Sequence, residues 1–314
     1  MNKSRTVMSS LAAIWAVGGF AASVVTEGTV TTLDVPEGET YVYAEALAAP
    51  TTQFVKTGAG TARFETAAPA YDGEILIREG VVDFTVPKAY GKGPITVSAG
   101  AQLVVSHASE SQNATLVAGT VTVAGSGPDG SGAIRFTGNG MGDWLFAKLV
   151  LAGDATIGGN RHGYKTIDFQ HHVFTWVGGN LMVNGHTWMN FEKLVHNGTA
   201  DICFQGWHGI DQSAAGKPIV IVNDRTHISF WDSTEPIPYA LVYDASSSLR
   251  VNAGDAVRWA GPITVAAKKT LEIQTNKMGN GRKITLSGEV GGEGAVAIGG
   301  DQDGTVVFDN PANT

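Results

Sequence analysis

The sequence predicts an all-β fold, a right-handed parallel β-helix in which short strands pile coil upon coil. Apolar residues alternate by two along nearly the whole chain, glycine supplies 41 of the 314 residues, and similar short units recur far apart. Alternation by two places both members of a pair on one face of a strand. Abundant glycine with 16% charged residues fits many short strands joined by tight turns. Internal repetition is the signature of coils that bury their inner face only against their neighbours.

Along the chain, the first segment stands apart from that array. Lys3 and Arg5 precede an uncharged apolar stretch, Val7 to Ala22, with small residues Gly19, Ala21, Ala22 and Ser23 at its end. This order of charge, apolar core and small residues predicts a secretory signal over residues 1–22, cut at or near Ala21 or Ala22. The apolar core is short against the roughly 20 residues of a bilayer span, and no later window reaches transmembrane length. The expectation is an exported mature chain, 23–314, forming one solenoid array.

The alternating pairs then run in order. They are Ile75/Ile77, Phe84/Val86, Ile95/Val97, Leu103/Val105, Val121/Val123, Ile134/Phe136 and Leu149/Leu151, then Ile167/Phe169, Leu181/Val183, Ile202/Phe204, Ile219/Ile221 and Ile228/Phe230, then Leu249/Val251, Ile263/Val265, Leu271/Ile273, Ile284/Leu286, Val296/Ile298 and Val306/Phe308. Their spacing leaves room for a strand and a turn. Only "MGDWLFAKLVLAG" approaches a helical stripe, and its Leu149–Leu151 end already alternates. An antiparallel sandwich would draw on Asn-Gly hairpins, of which "VNGH" and "HNGT" are instances. Repetition favours the solenoid: "GKGPITVSAGAQLVV" (91–105) matches "WAGPITVAAKKTLEIQ" (259–274), and "KTGAGTARFE" (56–65) matches "GGDQDGTVVFDN" (299–310).

Residues 54–105 resemble the autotransporter-associated β-strand repeat. The residues that carry the resemblance are Lys56, Gly58, Gly60, Thr61, Phe64, Tyr71, Gly73, Ile75, Gly80 and Val82, followed by Gly93, Ile95, Val97, Gly100, Ala101 and Leu103. Ala62 and Arg63 depart from the repeat's usual alternation. A second, incomplete copy spans 288–314 and stops before its Y-x-G element, as a truncated or degenerate copy does. The resemblance covers about a quarter of the chain. It implies a right-handed parallel β-helix serving as a secreted or surface-displayed passenger. Autotransporters of that family end in a membrane barrel, and no series of roughly ten-residue barrel strands closes this sequence.

Composition removes some functions. A net charge of −8 disfavours nucleic acid and anionic lipid as partners. Cys203 is the one cysteine, so no intrachain disulfide forms, and its setting in "DICFQG" predicts a buried structural thiol rather than a nucleophile.

Chemistry concentrates in residues 141–235, which hold His162, His171, His172, His186, His196, His208 and His227 and Trp144, Trp176, Trp188, Trp207 and Trp231. The adjacent His171 and His172 point to opposite faces of a strand, and no metal-ligand spacing appears, so no metal or other cofactor is expected. A polysaccharide lyase or hydrolase would draw on Asp168, Glu192, Asp201, Asp211, Asp224 and Asp232, two of them converging; these acids fall in no catalytic signature, and no catalytic residue is assigned. "GHTWMNF" and "QGWHGID" set aromatics beside hydrogen-bonding groups, making His186, Trp188, Trp207 and His208 the candidate ligand-binding residues. The competing reading has the tryptophans filling a wider core. The expected function is therefore structural or adhesive at the cell surface or in secreted form, with glycans or neighbouring-cell or host surface proteins as partners. The alternative is a β-helical polysaccharide-active enzyme.

Overall fold

A computed structural model describes residues 21–313 apart from 108–114, 139–143, 160, 165–166, 185–189, 206–214, 225, 232–234, 254–255, 276–281 and 300–303. The side chains of 115–118, 144–146, 161–164, 182–184, 205, 231 and 252–253 also lie outside the description. Every regular element among the described residues is a strand, and apart from one N-terminal hairpin every strand pairing is parallel. The fold is a β-solenoid.

Three ladders form its faces. Ladder A opens with β2 (Val30–Asp34), β4 (Gln53–Thr57), β6 (Glu74–Ile77) and β8 (Ile95–Val97), and continues through parts of β10 (Thr115–Gly125) and β12 (Trp144–Gly159) to β14 (Ile167–Asp168). Ladder B is unbroken. It runs β3 (Thr40–Tyr43), β5 (Thr61–Phe64), β7 (Val81–Phe84), β9 (Gln102–Val105), β11 (Ile134–Phe136) and β12. It then follows β15 (Val173–Trp176), β17 (Lys193–His196), β19 (Pro218–Ile221), β21 (Ala240–Tyr243), β24 (Ile263–Val265) and β27 (Val290–Gly292). Ladder C starts in the first residues of β10 and β12. It proceeds through β13 (Arg161–Tyr164), β16 (Asn180–Asn184), β18 (Ile202–Gln205), β20 (His227–Trp231), β22 (Ser247–Ala253), β25 (Thr270–Gln274) and β28 (Ala295–Gly299).

The alternation buries one side of each strand in continuous columns. Phe54, Ile75, Ile95, Val121, Leu149 and Ile167 stack down ladder A, all at 0% exposure. Each such side chain contributes about 1.5–3 kcal/mol by leaving water. β5 alternates despite its unusual sequence: Ala62 and Phe64 face in while Arg63 faces out toward Asp83. The segment with the nearest helical stripe is the strand β12, as its Leu149 and Leu151 suggest. In β7 the buried pair is Val82 and Phe84, one step before the predicted Phe84/Val86.

Two departures from simple repetition matter. The first is a rotation of the repeat by one face. Ile95 and Val97 of the first G-P-I-T-V unit lie in ladder A, whereas Ile263 and Val265 of the second lie in ladder B. The change happens across β10 and β12, long strands that each run through more than one ladder, β12 through all three. Among the described residues, the strand-poor side of a coil follows ladder B before them, and after β14 it is side A. There Phe169, Phe191 and Tyr239 fill the gap with ring centroids 5.7 and 5.0 Å apart. Strands return to that side as β23 (Ala256–Trp259), β26 (Lys283–Leu286) and β29 (Thr305–Phe308).

The second is a buried cation. Lys56 occupies an inner position level with Leu33 and Ile77 and is 0% exposed. Its Nζ donates to the carbonyls of Thr57 (2.7 Å), Gly58 (2.7 Å) and Glu79 (3.3 Å). Burial pulls its pKa down to about 8, against the opposing pull of Asp34 and Glu79. The repeat's lysine thus satisfies the carbonyls of a glycine corner.

The two ends differ. At the N-terminal end β1 (Ser23–Glu27) folds back antiparallel on β2 through a two-residue turn at Gly28 (φ 62°), Leu47 is buried, and the Tyr43 ring packs on Phe54 and Phe64. At the other end Val296 and Ile298, predicted to point inward, are 39% and 64% exposed. They do occupy the inner register, but among the described residues no rung covers them.

Candidate functional site

Side chains that alternate with the buried columns point outward, and on ladders A and B most of them are half-buried. Ladder C is different. Register aligns Asn180, Asp201, His227, Ser248 and Glu272 in one outward column and Cys203, Ser229, Arg250 and Gln274 in the next. Asp201, Cys203, Ser229 and Ser248 in these columns are buried despite facing out.

The columns are cross-linked by polar contacts between coils. Arg250 reaches back two coils and forms an ion pair through Nη2 with the Asp201 carboxylate. Ser248 Oγ and His227 Nδ1 lie 2.7 Å apart. The Asn180 side-chain oxygen accepts from the Asp201 backbone N–H at 3.1 Å, and Gln274 donates to Glu272 at 2.8 Å. Burial, then the Arg250 charge, hold the His227 pKa below its usual value, against Asp201 and Glu272. A neutral imidazole therefore faces the Ser248 hydroxyl near neutral pH. A serine–histidine contact beside a carboxylate has the parts of a nucleophilic relay. Here, however, Arg250 engages the carboxylate and Ser248 is 1% exposed. What the arrangement does within this structure is fasten three coils together on the outside of the stack.

That reading gives a testable result. Asp201→Ala leaves the partly buried Arg250 guanidinium without its partner, and we expect a loss of about 2 kcal/mol in urea denaturation. The double variant with Arg250→Leu should recover part of that loss, because the stranded charge is gone.

The predicted ligand-binding residues His186, Trp188, Trp207 and His208 lie outside the described residues, as do Asp211 and the Asp232 carboxylate. Their segments are nevertheless anchored in a definite order. Residues 185–189 follow β16, 206–214 follow β18 and 232–234 follow β20, and these three strands are consecutive neighbours in ladder C. Trp176 fills the core at 0% exposure, with Nε1 donating to Gly179 O at 2.8 Å. His196, counted with the polar middle region, is also an inner residue, between Trp176 and Ile221 in ladder B.

The remaining described acids each have a separate local partner. Asp168 accepts from Asn190 and Gln170, Glu192 pairs with Lys217, and Asp224 accepts from Ser246 N–H and lies 3.8 Å from Lys269. His171 sits in a left-handed turn (φ 58°), exposed, and His172 faces Asp154 at 3.8 Å. Among the described residues no group of three or more His, Cys, Asp or Glu side chains is placed to hold a metal ion. Sequence reading missed the Asp201–Arg250 and His227–Ser248 pairs. Their signal is spacing, 49 and 21 residues, which match whole coils once the coil length is known.

No protein-family model matches the chain, no curated protein is similar to it, and no solved structure matches it. The class the fold defines is that of β-solenoid proteins.

Proposed function

We propose that the chain is a passenger-type β-solenoid, secreted or displayed at a cell surface, with a structural and adhesive role. It acts as a stiff spacer that presents a recognition edge along ladder C. The observation that supports this most is the succession of segments following β16, β18 and β20. These strands are consecutive rungs of one ladder, and the first two segments carry His186, Trp188, Trp207 and His208 in sequence. Strands β18, β20 and β22 of that ladder are tied coil to coil by Asp201–Arg250 and His227–Ser248. Export is supported by the charge and apolar order of residues 1–22 and by β1 opening at Ser23. The resemblance of residues 54–105 to the autotransporter-associated repeat supports the passenger assignment. Aromatic side chains beside hydrogen-bonding groups suit the apolar faces and hydroxyl rims of sugars.

The test is retention on a panel of immobilised plant and mucin glycans, scored at the same time for released reducing ends or unsaturated products. Binding without turnover is expected, and the Trp188→Ala/Trp207→Ala double variant should lose at least about tenfold in affinity, ~1.4 kcal/mol, at unchanged Tm. Product release would contradict the proposal and favour the polysaccharide-cleaving alternative; so would binding that survives the double variant.

A further inference from the structure

The ion pair that fastens ladder C leaves hydrogen-bond donors unused. Arg250 on β22 reaches Asp201 on β18 by crossing β20, whose outward residues at the crossing are His227 and Ser229. Ser229 is 0% exposed, and among the described residues neither its Oγ nor the buried Arg250 Nε meets a hydrogen-bond partner. Ser229 and Arg250 are level in register, so these two donors sit on neighbouring rungs of one column. Buried donors without partners carry a desolvation cost, which an acceptor with free lone pairs would remove. The edge of a guanidinium is also what a carboxylate engages through two parallel bonds. Asp201 takes only Nη2 of that group.

We propose that Arg250 and Ser229 form a carboxylate site for acidic sugars, which Asp201 blocks at rest and gives up when His227 takes a proton. This rests on the reading of ladder C as a glycan-recognising edge, and it names the chemistry that edge selects. The exchange follows from position. His227 lies between Asp201 and Ser248 in one outward column, with Nδ1 2.7 Å from Ser248 Oγ. Among the described residues the groups that face it are Asp201 from β18, Ser248 and Arg250 from β22, and Glu272 from β25. While Arg250 is clasped to Asp201, burial and then the Arg250 charge keep the imidazole neutral. A ligand carboxylate that draws Arg250 away neutralises that charge and leaves the Asp201 carboxylate one rung from the ring. The imidazolium then replaces the guanidinium as the partner of Asp201. Anion and proton enter together, so each favours the other and the coupling is reciprocal.

The experiment is calorimetric titration of the full chain with sodium galacturonate at pH 5.5 and pH 7.5 and fixed ionic strength, with galactose as the uncharged comparison. The galacturonate carboxylate is ionised at both pH values. Galacturonate should bind at least about fivefold more tightly at pH 5.5, with proton uptake, and galactose should show no such dependence. Asp201→Asn removes the competing carboxylate and should bind galacturonate at pH 7.5 at least as tightly as the parent does at pH 5.5. Arg250→Leu should lose the preference for galacturonate over galactose while keeping the retention on immobilised glycans that depends on Trp188 and Trp207. Equal galacturonate affinity at the two pH values would overturn the proposal, as would pH-dependent binding that survives Arg250→Leu. An absence of galacturonate binding at both pH values would overturn it too, and retention on the glycan panel would then show that the recognition edge stands without it.

Discussion

Replacing Gly261 by alanine is expected to cost about 4 kcal/mol or more and to melt the C-terminal coils first. A Cβ on Gly261 would lie 1.8 Å from the backbone oxygen of Tyr239, and one on Gly288 would lie 1.9 Å from Gly261 O. These glycines precede ladder-B strands in successive coils, and each packs its α-carbon against the carbonyl of the coil below. The obstacle is backbone, so no side-chain rotation relieves it. Relief requires neighbouring coils to separate, which would break the bonds from Leu241 N–H to Pro262 O (2.8 Å) and from Ile263 N–H to Glu289 O (2.8 Å). In a stack where each coil touches only its neighbours, damage stays local. Amide exchange should therefore quicken at Leu241 and Ile263 while Ile75, bonded to Pro94 O at 2.9 Å, stays protected. Gly130→Ala is the comparison: its φ is +75° but nothing lies within 4 Å, so only a left-handed backbone strain of roughly 1–2 kcal/mol is at stake. Equal losses in the two variants would mean that coil contact is not what Gly261 serves.

The second large effect is acid sensitivity centred on His196. Its ring is 0% exposed in the inner column of ladder B, and Nδ1 accepts from Gly198 N–H at 3.3 Å. Burial pushes its pKa down to about 4 from the usual 6.5. Between those values the unfolded chain binds a proton that the folded chain refuses, so stability falls as pH falls. The window runs from about pH 6.5 to about pH 4, and the full loss is about 3 kcal/mol. Above pH 7 both states are neutral and the residue adds no slope. His196→Leu should flatten the unfolding free energy across that window relative to the parent, with little change at pH 8 beyond that of filling an apolar column. Parallel pH profiles for parent and variant would show that the imidazole titrates normally in the fold.

Much of the architecture was legible because coil stacking imposes local rules. Alternating pairs such as Ile75/Ile77 and Ile202/Phe204 could face only one way, and the repeated G-P-I-T-V marked corners that recur. The one-face rotation between 91–105 and 259–274 was not legible, because a motif describes a strand, a corner and a strand, and says nothing of which side of the stack it occupies. That phase is set by the lengths of β10 and β12. Exposure of Val296 and Ile298 was likewise hidden, since alternation fixes which side a residue faces and not whether another rung covers it. The polar columns of ladder C needed the coil length first: Asp201, His227 and Ser248 look unrelated until stacking brings them level. The setting of His196, counted with the His- and Trp-rich middle region, was hidden as well. Residue type alone does not decide its side, whereas its register beside Trp176 places it in the core.

The most direct test of the stacked account is a set of spin-label distances along ladder B, in a Cys203→Ala background. Val42 on β3, Arg135 on β11 and Thr264 on β24 all face outward on that ladder. They are separated by four and ten rungs, so at roughly 4.8 Å per rung the Val42–Arg135 and Val42–Thr264 distances should be about 19 and about 48 Å. A Val42–Thr264 distance no longer than that from Val42 to Arg135 would contradict the coiled stack and everything built on it.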